Sequence, residues 1–489
     1  MNFINKVLEK FRSISYRSHL LIGMVIRLIL IVYGEIQDEI AQVSYTDIDY
    51  KVVTDGARHI LKGSSPFKRH TYRYSPLLAI LLIPNILVHK CFGKILFSLF
   101  DILTGIMIER VVYNELKTEF FQRVEICPTE KNDDNDDADD DDEDEGELDI
   151  DSEKLYVKTK ERDKTEKEEI EKLRLPVVYS KWANDAALFW LYNPLSMVIA
   201  TRGNGDSITS FFVLATAYFI HKFNSQNKHV FLAGICLGVS IHLRLYPLIF
   251  SLPLFLTLSD FSPFALIKHF SDRFYLRIVC IIRAISSINL RQKYLILGTF
   301  LSFSTLTVLF YLLYGMEYLY EAYFYHLKRT DIRHNFSLYF LMQYLVMDVK
   351  FEYWGPALKV LPRLILLLYI SITFGWTKRT LSFCMFCQAF VMVVYNPVIT
   401  SQYFVWYLSL LPLCFKNFHP SPNCPSPFAI FVLWILPQGL WLLSAYALEF
   451  QGYNTFIEIG IGCTFFFITH ILMFVRLVNM FEPIDVKIL

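Results

Sequence analysis

Apolar runs of about 15 to 22 residues recur along this chain, separated by short polar islands. A hydrocarbon core about 30 Å thick takes about 20 helical residues, so the pattern predicts membrane helices. The first run, Leu20 to Tyr33, contains Arg27 and lacks a small-residue cleavage site, so it is expected to stay as a span. Ser75 to Val88 is apolar too, but Pro76 and Pro84 limit it. At about 13 residues it is short for a crossing and reads as an interfacial or re-entrant helix. Spans are expected from Lys94 to Val112, from Val178 to Ala200, and through the segment ending at His221-Lys222.

The stretch Phe231 to Leu258 is interrupted by His242-Leu243-Arg244-Leu245-Tyr246-Pro247 and reads as two half-helices. A charge at the centre of a span costs about 2.5 to 3.5 kcal/mol on insertion scales, so Arg244 is expected to face a polar cavity. Lys268 to Lys293 is a basic connection, and a span from Tyr294 to Tyr314 follows. Later spans are expected at Ala357–Trp376, Thr380–Val394, Phe404–Phe415, Phe428–Tyr446 and Phe456–Val475. The sum is an all-α polytopic bundle of about twelve membrane segments. Lys6, Lys10, Arg12 and Arg17 precede the first span, which predicts cytoplasmic N- and C-termini. Asp47 and Asp49, Arg202-Gly203-Asn204, the Tyr325–Ser337 island, Ser401-Gln402-Tyr403 and Glu449–Gly452 then share the opposite, luminal side.

Composition agrees. With 54% hydrophobic and 16% aromatic residues, a soluble chain could not cover its apolar surface. The zero formal net charge hides an asymmetry, because Glu130 to Glu171 holds 22 acids and 7 bases. That run has few large apolar side chains, so it is expected to be a disordered acidic insertion. It also lacks the glycine and ligand spacing of an EF-hand loop. The chain thus divides into 1–113 (first span, Asp-x-Asp loop, second span), a cytoplasmic insertion at 114–177, and the remaining bundle at 178–489. The nine cysteines are scattered, and Cys384-x-x-Cys387 lies in an expected span with no second pair, which favours a packing role.

The luminal islands contain Asp, Arg, His, Asn, Gln and Tyr, but no nucleophile elbow, phosphate loop or zinc motif. One carboxylate pair with several cations suits transfer of a group from a phosphate-bearing donor. A carboxylate takes the proton of the attacking hydroxyl, and arginines hold the phosphate as it leaves. Nothing points to nucleic acid.

Residue strings then narrow the class. Tyr45-Thr46-Asp47-Ile48-Asp49-Tyr50, Ser65-Pro66-Phe67, Thr71-Tyr72-Arg73-Tyr74-Ser75-Pro76-Leu77-Leu78, Asn193-Pro194-Leu195 and Arg202-Gly203-Asn204 occur in order. Arg329-Thr330-Asp331-Ile332-Arg333-His334-Asn335-Phe336-Ser337, Thr400-Ser401-Gln402-Tyr403-Phe404 and Glu449-Phe450-Gln451-Gly452 complete the series. Together they resemble the PIG-M family, the first mannosyltransferases of glycosylphosphatidylinositol (GPI) anchor synthesis. The resemblance covers nearly the whole chain except the acidic insertion. It implies a GT-C type fold in the endoplasmic reticulum membrane. It implies dolichyl-phosphate mannose as donor, glucosaminyl-(acyl)phosphatidylinositol as acceptor, α-1,4 transfer with inversion, and a small single-pass stabilising subunit of the PIG-X type.

Residue roles follow from the resemblance. Asp49 is the expected general base, because in similar enzymes the key acid lies eight residues before an Ala-Arg like Ala57-Arg58. Asp47 would orient the acceptor or help hold a divalent cation, although arginine could suffice against a monophosphate leaving group. Arg244, with Arg202 or Arg333, would hold the donor phosphate. Arg73, His326 and His334 would meet the acceptor, with Asn204 and Gln402 as further polar contacts. Two other readings stay open: a dolichol-linked transferase of N-glycan precursor assembly, and a polytopic lipid or sugar transporter. A transporter usually carries internal repeats, and none is evident in the sequence.

Overall fold

The computed structural model describes residues 6, 10–126, 177–222, 225–261, 274–329, 334–345, 355–419 and 426–482. Most of the acidic insertion, and Arg333, lie outside the described residues. Among the described residues the chain is helical, and the only β feature is an isolated bridge between Phe418 and Phe481.

Four helices are long and apolar enough to cross a membrane: Tyr16–Ile40, Leu290–Phe324, Phe428–Gln451 and Phe456–Met480. Their outward side chains are large and apolar, such as Leu21, Ile29, Phe300, Leu312, Leu443 and Ile461, each more than 60% exposed. In water such a surface would associate; in a bilayer it is the solvated face. The protein is therefore a multi-pass membrane protein. The expected total of about twelve segments exceeds these four, because several of the others are short, broken or charged.

The charged helix is the most informative. We label Tyr16–Ile40 α1, Ile48–Leu61 α2 and Phe92–Ile126 α3. On α3, Lys94 and Glu115 are 21 residues apart, roughly 32 Å at 1.5 Å per residue and one hydrocarbon thickness. Each sits in a buried polar network. Lys94 Nζ donates to Glu35 Oε1 at 2.7 Å and to Thr46 Oγ1 at 2.6 Å. At the other end, Lys416 Nζ lies 3.0 Å from Glu115 and 2.8 Å from Glu119, with His221 3.1 Å from Glu115. Between them, Asp101 pairs with Arg27 of α1, and both side chains are fully buried. Charges inside the span are thus paired within protein, as a low-dielectric setting requires. Helix α3 also runs through residues 114–126, which the sequence assigns to the insertion, and Glu115 and Glu119 hold its end in the core.

The tightest helix pair is Asn227–Leu243 (α4) against Leu290–Leu319 (α5). Gly234 faces Gly298, and Gly238 one turn on faces Thr299 and Ser302, in a small-xxx-small contact. A Cβ on Gly234 would lie 2.4 Å from the Leu295 carbonyl, and one on Gly298 2.4 Å from the Phe231 carbonyl. The contact fixes the end of α4, where His242 and Arg244 emerge. Helix α5 bends at Gly315 (φ +66°) and continues as a π-turn at Tyr320–Phe324.

Two expected spans are corrected. Val178–Ala200 is not one helix: it stops before Asn193-Pro194, where the Asn193 side chain caps Pro194–Thr201 by accepting the Leu195 N–H at 2.9 Å. Proline removes a donor and restricts the residue before it, which explains the break. Phe404–Phe415 is a short helix, Phe404–Leu408, followed by a 3-10 stretch at Leu411–Asn417, both packed inside the core. The basic connection Lys268–Lys293 also contains a helix, Phe274–Ser286. Ser75–Val88 is two short helices, Pro76–Leu81 and Pro84–Leu87, in agreement with a segment too short to cross. Cys384 and Cys387 are both buried free thiols in Lys378–Val394.

Candidate active site

The Asp-x-Asp spacing has a local explanation. Asp47 is the N-cap of α2, and its carboxylate accepts the Asp49 N–H at 3.1 Å. Aspartate is among the strongest caps because it satisfies an otherwise unpaired amide. Asp49 follows in the first turn, and its side chain faces a small recess with Tyr74, Asn204 and Arg244. One acid starts the helix and the other points into the site.

The loop before Asp47 is held from three sides. Thr46 N–H donates to Asp38 Oδ1 at 3.0 Å, and the Thr46 hydroxyl also bonds Asp38 while accepting from Lys94. The Asp47 N–H donates to the Arg202 carbonyl at 2.9 Å, and Arg202 Nε donates to the Tyr45 carbonyl at 2.8 Å. Gly203 has φ +94°, and a Cβ there would lie 2.4 Å from the Tyr50 ring. Only glycine serves at such a contact. Asn204 Oδ1 accepts the Asp206 N–H at 3.0 Å and so fixes the start of Asp206–His221. Thus Arg202-Gly203-Asn204 is a bracket against α2, and the Arg202 guanidinium is engaged with the loop backbone.

Asp206, absent from the sequence-based site, is fully buried and lies 2.9 Å from Arg244 Nε. Arg244 also sits 5.2 Å from the Tyr74 ring centre. The guanidinium is pinned at the junction between the Asp49 recess and a cavity of about 530 Å³. Gln402 Nε2 donates to Asp49 Oδ2 at 3.4 Å from the short turn Ser401–Tyr403. Burial first, and the Asp47 charge second, push the Asp49 carboxyl above the usual carboxylate range. A Tyr74 hydrogen bond and the Arg244 and Arg329 charges pull the other way. The Tyr74 hydroxyl is itself raised, by burial and then by the Asp49 charge.

The large cavity has a basic side and an aromatic side. Arg73 pairs with Glu321 and sits 4.3 Å from the Tyr325 ring centre, and its carbonyl bonds His326 Nε2 at 2.9 Å. Burial lowers the His326 pKa to about 4, so the ring is neutral near pH 7. Trp406 stacks on Tyr246 at 4.0 Å and on Tyr403 at 4.3 Å. All three rings line the cavity. A largely apolar cavity that carries several arginines, beside a carboxylate, suits a sugar carried on a phosphate.

His334 is placed elsewhere. It lies 3.5 Å from Glu449 at a second cavity with Trp441 and Phe456 and does not join the Asp49 group. Its neighbour Asn335, which begins an Asn-Phe-Ser glycosylation sequon, is fully buried. Asn335 Nδ2 donates to the Pro397 carbonyl at 3.0 Å, and its Oδ1 accepts the Ser337 and Ile399 N–H groups. That asparagine braces the 396–399 loop along the cavity wall and is closed to a glycan. Among the described residues no group of three His, Cys, Asp or Glu side chains converges as a metal cage.

The sequence profile of the family Mannosyltransferase (PIG-M) matches residues 199–478. The chain belongs to the PIG-M mannosyltransferase family. Its relatives extend the match across α2 and the Asp-x-Asp loop. GPI mannosyltransferase 1 of Dictyostelium discoideum is 34% identical, covering 96% of this chain and 93% of its own length. The GPI alpha-1,4-mannosyltransferase I catalytic subunit of Danio rerio is 32% identical, covering 95% and 96%. GPI mannosyltransferase 1 of Saccharomyces cerevisiae is 30% identical, covering 92% of each chain. The protein is therefore a mannosyltransferase with a role in GPI-anchor synthesis, and its substrates are a sugar donor and a GPI-type acceptor.

Proposed function

We propose that this PIG-M protein transfers the first mannose, in α-1,4 linkage, from dolichyl-phosphate mannose to glucosaminyl-(acyl)phosphatidylinositol at the luminal face of the endoplasmic reticulum membrane. The observation that carries the mechanism is Asp49: an acid with a raised pKa, set in a recess that opens through Arg244 onto the large cavity. Asp49 takes the proton of the acceptor hydroxyl as that oxygen attacks the anomeric carbon. The bond from that carbon to the phosphate oxygen breaks, and dolichyl phosphate leaves with the electron pair. One base and no covalent intermediate give inversion, by the logic of single-displacement sugar transfer.

Arg244 is oriented by Asp206, so its charge is available to the leaving phosphate without reorganisation. The aromatic side formed by Tyr246, Tyr403 and Trp406 is the proposed seat of the sugar ring. Arg73 and His326 line the acceptor side. Arg333 lies outside the described residues and keeps only its place in the family string. Arginines neutralise the leaving phosphate in this reading; a divalent cation on Asp47 and Asp49 is the alternative. Transfer that survives exhaustive chelation supports the arginines, and loss restored by a divalent cation supports the metal. A small single-pass subunit of the PIG-X type is the proposed partner, tested by co-purification.

The experiment for the reaction supplies dolichyl-phosphate mannose with glucosaminyl-phosphatidylinositol or an oligosaccharide-lipid acceptor. Product from the first acceptor alone supports the proposal. Product from the second alone supports an N-glycan precursor transferase.

A further inference from the structure

Arg363 was no part of the site read from the sequence. It lies on an apolar helix, Gly355–Phe374, whose neighbouring side chains Leu361, Leu364 and Ile365 are about half exposed on the outer, lipid-facing surface. Such an arginine is expensive to keep in a membrane and needs a reason to be there. Its side chain lines the large cavity, and Nη1 donates to Asn396 Oδ1 at 3.0 Å. Among the described residues no carboxylate pairs with it. This separates Arg363 from the cavity's Arg73 and Arg244, which face Glu321 and Asp206. Val360 also lines the cavity while 44% exposed on the outer surface. The cavity thus opens at an exposed apolar residue next to this guanidinium, on a helix whose other exposed side chains are suited to lipid.

We propose that Arg363 binds the phosphate of a lipid-linked substrate whose hydrocarbon chain stays in the bilayer. Asn396 presents the guanidinium, and Ser337 in turn holds Asn396, its Oγ donating to the Asn396 carbonyl at 2.7 Å. A phosphate is the natural partner, because its oxygens accept charge-assisted hydrogen bonds from the planar guanidinium. The inference rests on the proposed reaction, in which both lipids carry a phosphate: a monoester in the departing dolichyl phosphate, a diester in the phosphatidylinositol acceptor. It adds a further cation to the cavity beyond Arg73 and Arg244, on the apolar helix Gly355–Phe374 rather than beside Asp49.

The test uses the full-length protein, wild type and R363Q, R363K and N396D, in nanodiscs. Binding of dolichyl phosphate and of phosphatidylinositol is read separately by native mass spectrometry, and KM and kcat are measured for each substrate. R363Q is expected to weaken one lipid about ten- to hundredfold, with partial rescue in R363K. Loss on dolichyl phosphate and donor KM assigns the donor phosphate, and loss on phosphatidylinositol and acceptor KM assigns the acceptor phosphate. N396D is the control for a merely structural arginine. It supplies a carboxylate that strengthens the pair but occupies the guanidinium, so lipid binding should fall as in R363Q. Folded R363Q and N396D with both lipids bound as tightly as by wild type would overturn the proposal. Should R363Q fail to fold, N396D alone decides. Wild type that binds these lipids but transfers no mannose would sink the reaction while leaving the phosphate site standing.

Discussion

At the scale of single residues, the account turns on two carboxylates with different work. Asp47 caps a helix and Asp49 faces the recess. The general base must be ionised, so activity is present above the Asp49 pKa and is lost as pH falls through it. Because that pKa is raised, the acid limb of kcat/KM should lie above the ordinary carboxylate range. D47N keeps the cap, since asparagine caps as well as aspartate, but removes the neighbouring charge. The limb should therefore move to lower pH in D47N; an unmoved limb in an active D47N enzyme would remove Asp49 from the role. G203A forces a side chain into left-handed backbone and onto Tyr50, and should reduce transfer together with thermal stability. The acids and Arg244 were legible in the sequence because charges beside apolar runs stand out. Asp206 was not, although it lies two residues after Arg202-Gly203-Asn204, because its meaning depends on Arg244 arriving from another helix. Tyr74 and Arg363 were hidden for the same reason, and His334 was grouped by sequence nearness that the fold does not preserve.

At the scale of elements, the site is built where helices end. Helix α4 stops at Leu243, α5 bends at Gly315, α2 starts at Asp47, and the polar residues emerge at those points. Two contacts hold these ends in place. Lys94 ties α3 to Glu35 of α1 and to Thr46 of the Asp-x-Asp loop. K94M removes the buried ammonium shared by Glu35 and Thr46 and leaves Glu35 with Lys90 alone, so mannose transfer and thermal midpoint should both fall. Wild-type behaviour of K94M would mean that the loop is positioned without it. G234L drives a side chain into the Leu295 carbonyl, an overpacking that costs about 1–3 kcal/mol or more, and should reduce the yield of folded protein. The apolar runs placed most of these helices correctly, because hydropathy and length report directly on a bilayer. The breaks at Asn193-Pro194 and within Phe404–Phe415 were less legible. A run buried in protein and a run bathed in lipid have the same composition, and only packing distinguishes them.

At the scale of the molecule, two polar networks sit one hydrocarbon thickness apart on α3, with the candidate site beside one of them. The sequence reads α3 as a span from Lys94 to Val112 and stops short of Glu115 and Glu119, because those carboxylates are compensated by Lys416, far away in the chain. The acidic run falls outside the residues matched by the family profile. Deleting 130–171 is expected to leave mannose transfer unchanged; a large loss would give that run a part in the reaction or in assembly. The most direct measurement is mannose transfer from dolichyl-phosphate mannose to glucosaminyl-phosphatidylinositol in microsomes, wild type beside D49N at matched protein level. Wild type should give product, with a fall of about a hundredfold to ten-thousandfold in D49N. Equal transfer by the two proteins would remove Asp49 from the reaction.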